Sequence, residues 1–259
     1  MALIKTSEEI ALLREGGRRL AQLMALLARE TKAGVVVRYL DALLEREIRA
    51  AGDTPAFLGY KPAGARRAFP ASLCVSVNDE AVHGIPTESD RILADGDIVS
   101  LDAGLIHQGL ITDTCITVGV GNVDAAGSSL IESARQALAS GIAAARGGNR
   151  LGDIGAAIED SLLGTGFAAI PDLGGHGVGH KVHEPPHVFH FGDPGTGELL
   201  VPGMVITIEP TVSEGTTDIL LAKDGYTYRT ADGSRTAQFE HTIVITDGSP
   251  EILTKEIMC

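Results

Sequence analysis

The chain has no tryptophan, and its aromatic residues make up 4% of 259 positions. A platform that grips single-stranded nucleic acid by stacking bases on rings is therefore not expected. Positive charge is also scarce: 21 Lys and Arg stand against 34 Asp and Glu, a formal net charge of −13. So acidic a molecule repels phosphate backbones, which argues against DNA as a partner. The imbalance is uneven, because residues 1–70 carry 12 basic and 8 acidic side chains. Of the three cysteines, Cys74, Cys115 and Cys259, none forms a CxxC pair, so neither a disulfide framework nor a structural zinc knuckle is expected. Cys259 reads as a free thiol. No long hydrophobic run exists; the longest near-continuous one, Leu199 to Ile208, contains Pro202 and Gly203 and is too short to span a bilayer. The first residues lack the apolar core of a secretory signal. The expectation is a cytoplasmic protein with no membrane partner.

What is present begins with helices. Thr6-Ser-Glu-Glu9 has the form of a capping box, and Ile10, Leu13, Leu20, Leu23, Met24 and Leu27 follow at helical spacing to about Glu30. Gly16-Gly17 inside this stretch weakens the case for one continuous helix. A second helix is expected from Val37 to about Ala51, stopped by Gly52, and a second pair over Ser128–Arg146 and Leu151–Leu163. A shift of 114 residues places Gly34 on Gly148, Val37 on Leu151, Leu40 on Ile154, Glu45 on Glu159, Ile48 on Leu162 and Gly52 on Gly166. The match is that of an internal duplication, or of two amphipathic helices that resemble each other generically. Each helix pair precedes β-rich sequence, so the expected fold class is α+β, built from two similar halves.

Ile98–Ile106 and Leu110–Val118 are strand-like and are separated by His107-Gln108-Gly109. A hairpin centred between His107 and Gln108 sets Asp102 directly opposite Asp113, about 5 Å apart at Cβ. Two like charges there are tolerated on a solvated face or held by a cation between them. Further along, Asp172-Leu-Gly-Gly-His176-Gly-Val-Gly surrounds one histidine with glycines, which permit close approach of backbone to a ligand. Glu209 ends the apolar run Met204–Ile208, and Glu240 sits within the strand-like stretch Ala237–Thr246. Neither stretch holds a Lys or Arg to pair a buried carboxylate. Two Asp, two Glu and a neutral His balance two divalent ions in charge, the arrangement of two-metal hydrolysis.

These residues fall in motifs that resemble a known family. Cys74-Val-Ser-Val-Asn-Asp-Glu-Ala-Val-His83-Gly-Ile-Pro86, Gly96-Asp-Ile-Val-Ser-Leu-Asp102, Thr112-Asp113-Thr114, Gly175-His176-Gly-Val-Gly, Ile208-Glu209-Pro210 and Gln238-Phe-Glu240-His241 are similar to those of the bacterial type I methionine aminopeptidases. The resemblance runs along essentially the whole chain and implies the pita-bread fold as a single catalytic domain over residues 1–259, its two related halves enclosing the site. It implies two divalent metal ions (Co, Mn, Fe or Zn), with Asp113 and Glu240 bridging both. His176 and Glu209 would complete one ion, and Asp102 would chelate the other. A water activated between the ions would attack the first peptide bond, Glu209 taking its proton. His183 would hydrogen-bond the scissile carbonyl or its oxyanion, and His83 would contact the scissile amide nitrogen and help protonate the leaving amine. The substrate's free α-amine would bind near the second ion.

The resemblance further implies a methionine pocket of Tyr60, Phe69, Cys74, His83, Val182 and Tyr226. Tyr226 stands where the family commonly has Trp, Val182 where an aromatic can occur, and Lys61–Arg66 reads as an insertion. The implied substrate is the N-terminal Met of nascent polypeptides followed by a small residue. A monomer is expected, touching the ribosome through a basic N-terminal third that includes Arg66 and Arg67. Prolidase, aminopeptidase P and creatinase share the implied fold, so a proline-directed exopeptidase is the alternative enzyme. A metal-free binding module of the same fold is the alternative outside catalysis.

Overall fold

The structure, a computed structural model, describes residues 4–255; Cys259 lies outside the described residues. Helix α1 spans Ser7–Glu30, and its capping box is complete: Glu9 N–H donates to Thr6 Oγ1 at 3.2 Å and Thr6 N–H to Glu9 Oε2 at 2.7 Å. The helix runs unbroken through Gly16-Gly17 because both glycines are contact points. A Cβ on Gly17 would meet the Leu253 carbonyl oxygen at 2.3 Å, and one on Gly16 would meet His107 Cβ at 3.1 Å. Helix α2 spans Val37–Ala50 and ends at Gly52, whose φ of +79° is the left-handed stop expected there. Helix α3 covers Ala125–Ala144, starting three residues before the expected Ser128. Asp124 supplies the cap, its carboxylate accepting Gly127 N–H at 2.7 Å. Helix α4 covers Leu151–Leu162.

The helices keep the 114-residue spacing: α1 and α3 end at residues 30 and 144, and α2 and α4 begin at 37 and 151. Beyond them the spacing shortens to 107, so that Ile98 corresponds to Val205 and Asp102 to Glu209. In the first half, strand Ile98–His107 is the centre of a four-stranded sheet. Leu110–Gly119 pairs along one edge, and Leu73–Val77 and Thr54–Pro55 follow each other along the opposite edge. In the second half, Val205–Ile208 lies in a five-stranded sheet between Gly174–Gly177 and His241–Val244. One apolar core runs through both halves, from Leu20, Leu40 and Ile48 to Leu138, Ile154 and Ile206.

The hairpin register differs from expectation. His107 pairs with Leu110 across a two-residue turn, Gln108-Gly109, with φ of +48° and +85°. Two successive positive φ values are the signature of the tight primed turn whose twist suits a hairpin. Glutamine rarely takes the first of these positions, which is why the sequence does not announce it. Asp102 therefore opposes Cys115, and Asp113 opposes Gly104. The slip is by two residues, so face parity is kept and the two aspartates remain diagonal neighbours on one side of the hairpin.

Candidate metal centre

The second pair of acids is set by an interrupted ladder. Thr211 pairs with Gln238 and Ile208 with His241, one register broken at Glu209-Pro210 and at Phe239-Glu240. Proline has no N–H to continue a ladder, so both strands part there together. Glu240 thus lies between two strands rather than inside one. Its N–H turns to the first half, donating to the Cys115 carbonyl at 2.9 Å. Next to it, Asp113 N–H donates to Thr242 Oγ1 at 2.9 Å, and Thr242 Oγ1 donates to the Asp113 carbonyl at 2.7 Å. The two halves are stitched where their acids meet.

Asp113, His176 and Glu240 are the tightest group: each offers one ligand atom, and these lie within 4.8 Å of one another. Asp102 and Glu209 line the same cleft, and Glu209 Oε1 is 3.5 Å from His176 Nε2. His176 Nδ1 lies 2.9 Å from the Gly177 carbonyl. That contact places the ring proton on Nδ1 and leaves the Nε2 lone pair free. Glu209 Oε1 accepts Thr207 Oγ1–H at 2.9 Å and its Oε2 accepts the Gln238 amide at 3.3 Å. By contrast Asp102 Oδ1, Asp113 Oδ1 and Glu240 Oε1 are buried without a hydrogen-bond partner.

Electrostatics point the same way. Burial pushes the Asp102 carboxyl up to about 7. Burial, then the charge of Asp102, pushes Glu209 up to about 8. Asp113 and Glu240 stand well above the usual carboxylate range, by burial first and then by the charge of a neighbouring acid, Asp102 for Asp113 and Asp113 for Glu240. Burial, then His183, pushes His176 down to about 3, so its imidazole is neutral. No Lys or Arg lines the cleft among the described residues. Orphaned oxygens, a neutral imidazole and no protein cation fit a hard divalent ion.

A cleft of about 340 Å³ opens above this group. Tyr60, Phe69, Cys74, His83, Val182, His183 and Tyr226 all line it, so every residue expected at the site is brought to one place. The Tyr60 hydroxyl lies 2.7 Å from His183 Nδ1, and the rings of His183 and His176 meet edge to face with centroids 4.4 Å apart. His83 is held at a φ of +60°, and burial pushes it down to about 4. Tyr226 packs edge-on against Phe69 at 5.1 Å. Residues not anticipated are Phe57, Leu221, Gly225, Tyr228 and the segment 62–65, which also line the cleft. Thr207 and Gln238, which hold Glu209, were not anticipated either. Thr207 was legible in principle, since it lies two residues before Glu209 on the same strand face.

A buried carboxylate–imidazole cluster at the junction of two related halves, opening on a substrate-sized cleft, defines a metal-dependent hydrolase. The chain belongs to metallopeptidase family M24, whose model matches residues 11–247. It is 40% identical over 254 residues to a methionine aminopeptidase of Clostridium perfringens, covering 98% of this chain and 99% of that one. It is 44% identical over 221 residues to methionine aminopeptidase 1 of Mycobacterium tuberculosis, covering 83% and 80%. Among solved structures, a methionine aminopeptidase of Thermotoga maritima superposes with a TM-score of 0.94 at 39% identity, covering 99% of this chain and all of that one. The fold is the pita-bread fold that the motifs imply. A prolidase of Pyrococcus horikoshii shares the fold alone, at 22% identity and a TM-score of 0.76.

Proposed function

We propose that the chain removes the N-terminal methionine of nascent proteins and peptides, preferring a small second residue. The observation that carries this reading is the position of the carboxylate–histidine cluster, in a cleft also lined by Tyr60, Phe69, Cys74 and Tyr226. A polar reacting end and an apolar lining share one cleft. The whole-chain likeness to methionine aminopeptidases supports the same substrate.

Asp102, Asp113, His176, Glu209 and Glu240 would hold two divalent ions (Mn, Fe, Co or Zn), which would act as Lewis acids and lower the pKa of water. Glu209, oriented by Thr207 and Gln238, takes the proton of the attacking water. Tyr60 donates to His183 Nδ1, so Nε2 bears the ring proton and faces the developing oxyanion. His83 contacts the scissile amide nitrogen, and the proton held by Glu209 passes to the leaving amine. Residues 1–259 act as one catalytic domain, a reading supported by the core shared between the halves. The protein works as a cytoplasmic monomer on chains leaving the ribosome. No helix of the described residues is long and apolar enough to cross a membrane. Arg67 is engaged by Glu88, so Arg66, exposed, is the better candidate for ribosome contact.

The test is to strip the protein with chelator, restore Mn or Co, and follow amino-acid release from Met-Ala-Ser and from an Xaa-Pro peptide. Metal-dependent methionine release from Met-Ala-Ser is expected. Cleavage of the Xaa-Pro peptide alone would move the assignment to the proline-directed relatives, and no cleavage with no bound metal would leave a binding module.

A further inference from the structure

Two surface segments face each other at the mouth of the cleft. The first is the segment 61–67, of which Pro62, Ala63, Gly64 and Ala65 line the cleft. Its base is closed by backbone hydrogen bonds, Gly59 N–H to the Phe69 carbonyl at 2.9 Å and Phe69 N–H to the Tyr60 carbonyl at 2.8 Å. Its tip turns on Gly64, at a φ of +85°. The second is the turn 221–226, of which Leu221, Gly225 and Tyr226 line the cleft. Asp224 stiffens this turn, its Oδ1 accepting Tyr226 N–H at 2.8 Å and Thr227 N–H at 2.9 Å.

The two are bolted together. Tyr226 Oη–H donates to the Arg67 carbonyl at 2.6 Å, and Arg67 Nη2 donates to the Asp224 carbonyl at 3.1 Å. The same guanidinium forks onto Glu88, Nη1 to Oε1 and Nη2 to Oε2, the latter at 2.8 Å. Glu88 lies in the short helix Pro86–Glu88, which follows His83 closely in the chain. Arg67 therefore joins three separate segments at the rim, and a planar fork is the side chain able to do so. It does not line the cleft itself. The side chains of 62–65 are small, so this part of the lining is placed by its backbone more than by side-chain bulk.

We infer that Arg67 is a specificity-determining positioning residue: by clamping the segment 61–67 to Glu88 and to the 221–226 turn, it fixes the far wall of the recess and excludes first residues bulkier than methionine. This rests on the proposed aminopeptidase reading. The strut is partly exposed, at 40% for Arg67 and 41% for Glu88, so its loss loosens the wall without opening the core.

The experiment compares the parent with Arg67→Ala, Arg67→Lys and Glu88→Gln. Release from Met-Ala-Ser and Phe-Ala-Ser is followed with metal restored, alongside limited trypsin cleavage after Arg66. Arg67→Ala and Glu88→Gln are expected to raise kcat/KM for Phe-Ala-Ser relative to Met-Ala-Ser at least tenfold. The change should lie mainly in KM, with faster cleavage after Arg66, and Arg67→Lys should restore part of both. An unchanged ratio overturns the inference, and so does equal loss of turnover on both peptides in Arg67→Ala and Glu88→Gln. If the parent releases no methionine, the functional reading fails by itself. The clamp is then judged by trypsin: unaltered cleavage after Arg66 in both variants overturns it, and faster cleavage upholds it.

Discussion

Lys5→Met is the perturbation whose outcome the structure constrains most closely outside the metal site. Lys5 Nζ lies 2.6 Å from Glu184 Oε2, with side-chain exposures of 0% and 2%. Glu184 Oε1 accepts the N–H groups of His180 at 2.6 Å and Lys181 at 2.9 Å. The pair thus shapes the loop that presents Val182 and His183 to the cleft. Gly179 makes room for it, since a Cβ there would meet Lys5 Cε at 2.4 Å. Removing one partner of a buried ion pair leaves an uncompensated charge and costs about 3–5 kcal/mol. At roughly 2–4 °C per kcal/mol for a chain of this size, Tm should fall by about 10 °C. Lys5→Met combined with Glu184→Gln should recover most of the loss, because the amide oxygen still accepts the two N–H groups and no bare charge remains. Scanning calorimetry and urea unfolding on the single and double variants check this. A single variant within about 1 kcal/mol of the parent, or a double variant no better than the single, refutes the reasoning.

If Glu209 acts as proposed, Glu209→Gln removes the proton acceptor while keeping an oxygen toward the metal, so kcat on Met-Ala-Ser should fall roughly 100-fold or more with KM little changed. Loss confined to KM would contradict the role. Tyr60→Phe deletes the hydroxyl that orients His183 and should lower kcat roughly tenfold; full activity in that variant would show that His183 is held by its packing alone. The metal-free protein should lose stability as pH rises. Asp102 and Glu209 have folded-state values raised to about 7 and about 8, so the folded state holds their protons more tightly than the unfolded chain does. The stability linked to those protons is present below the usual carboxylate range and is lost as pH climbs through 7 and 8. The loss is on the order of 4 kcal/mol for either group. Chelated protein should therefore melt progressively lower from pH 5 to pH 9, and the gain in Tm on adding Mn should widen over the same range. A metal-free Tm that rises with pH would break the clustered-carboxylate picture.

Much of this was legible in the residues. Helix boundaries came from local chemistry, the Thr6–Glu9 box and the Gly52 stop, and the 114-residue spacing from side chains on one helix face. Register was harder. Parity along a strand follows from alternation, so Asp102 and Asp113 were correctly given one face. Their offset depended on Gln108 accepting a positive φ, which nothing in a glutamine signals. Glu240 was misread as a residue inside one strand because the break at Phe239-Glu240 is caused by Pro210 on the neighbouring strand. The partners of Glu209 and His183 were missed for a related reason: Gln238 and Tyr60 reach them across 29 and 123 residues.

The residue corresponding to Glu209 in the first half is Asp102; Asp102 stands opposite Cys115, whereas Glu209 and Glu240 adjoin the paired residues Ile208 and His241 where the ladder breaks. The duplication is thus inexact at the site: the position that holds an acid in one half holds a thiol in the other. Asp113, two residues before Cys115, supplies the acid instead, and the place two residues before Glu240 is held by Gln238, whose amide is given to Glu209. Two similar halves brought together face to face would set like against like and converge four carboxylates symmetrically. The acids are instead staggered along the junction, where Thr242 bonds the Asp113 backbone on both its N–H and carbonyl sides. His176 enters from the second half only; the corresponding place in the first half, opposite Ser100, is Ser76, which is spent on the Gly84 N–H at 3.1 Å. Among the candidate metal-holding residues, the second half offers an imidazole nitrogen beside its carboxylates and the first half offers carboxylates alone. A peptide whose amine and carbonyl must be told apart can be oriented by such a difference, and an exact duplicate could not provide it.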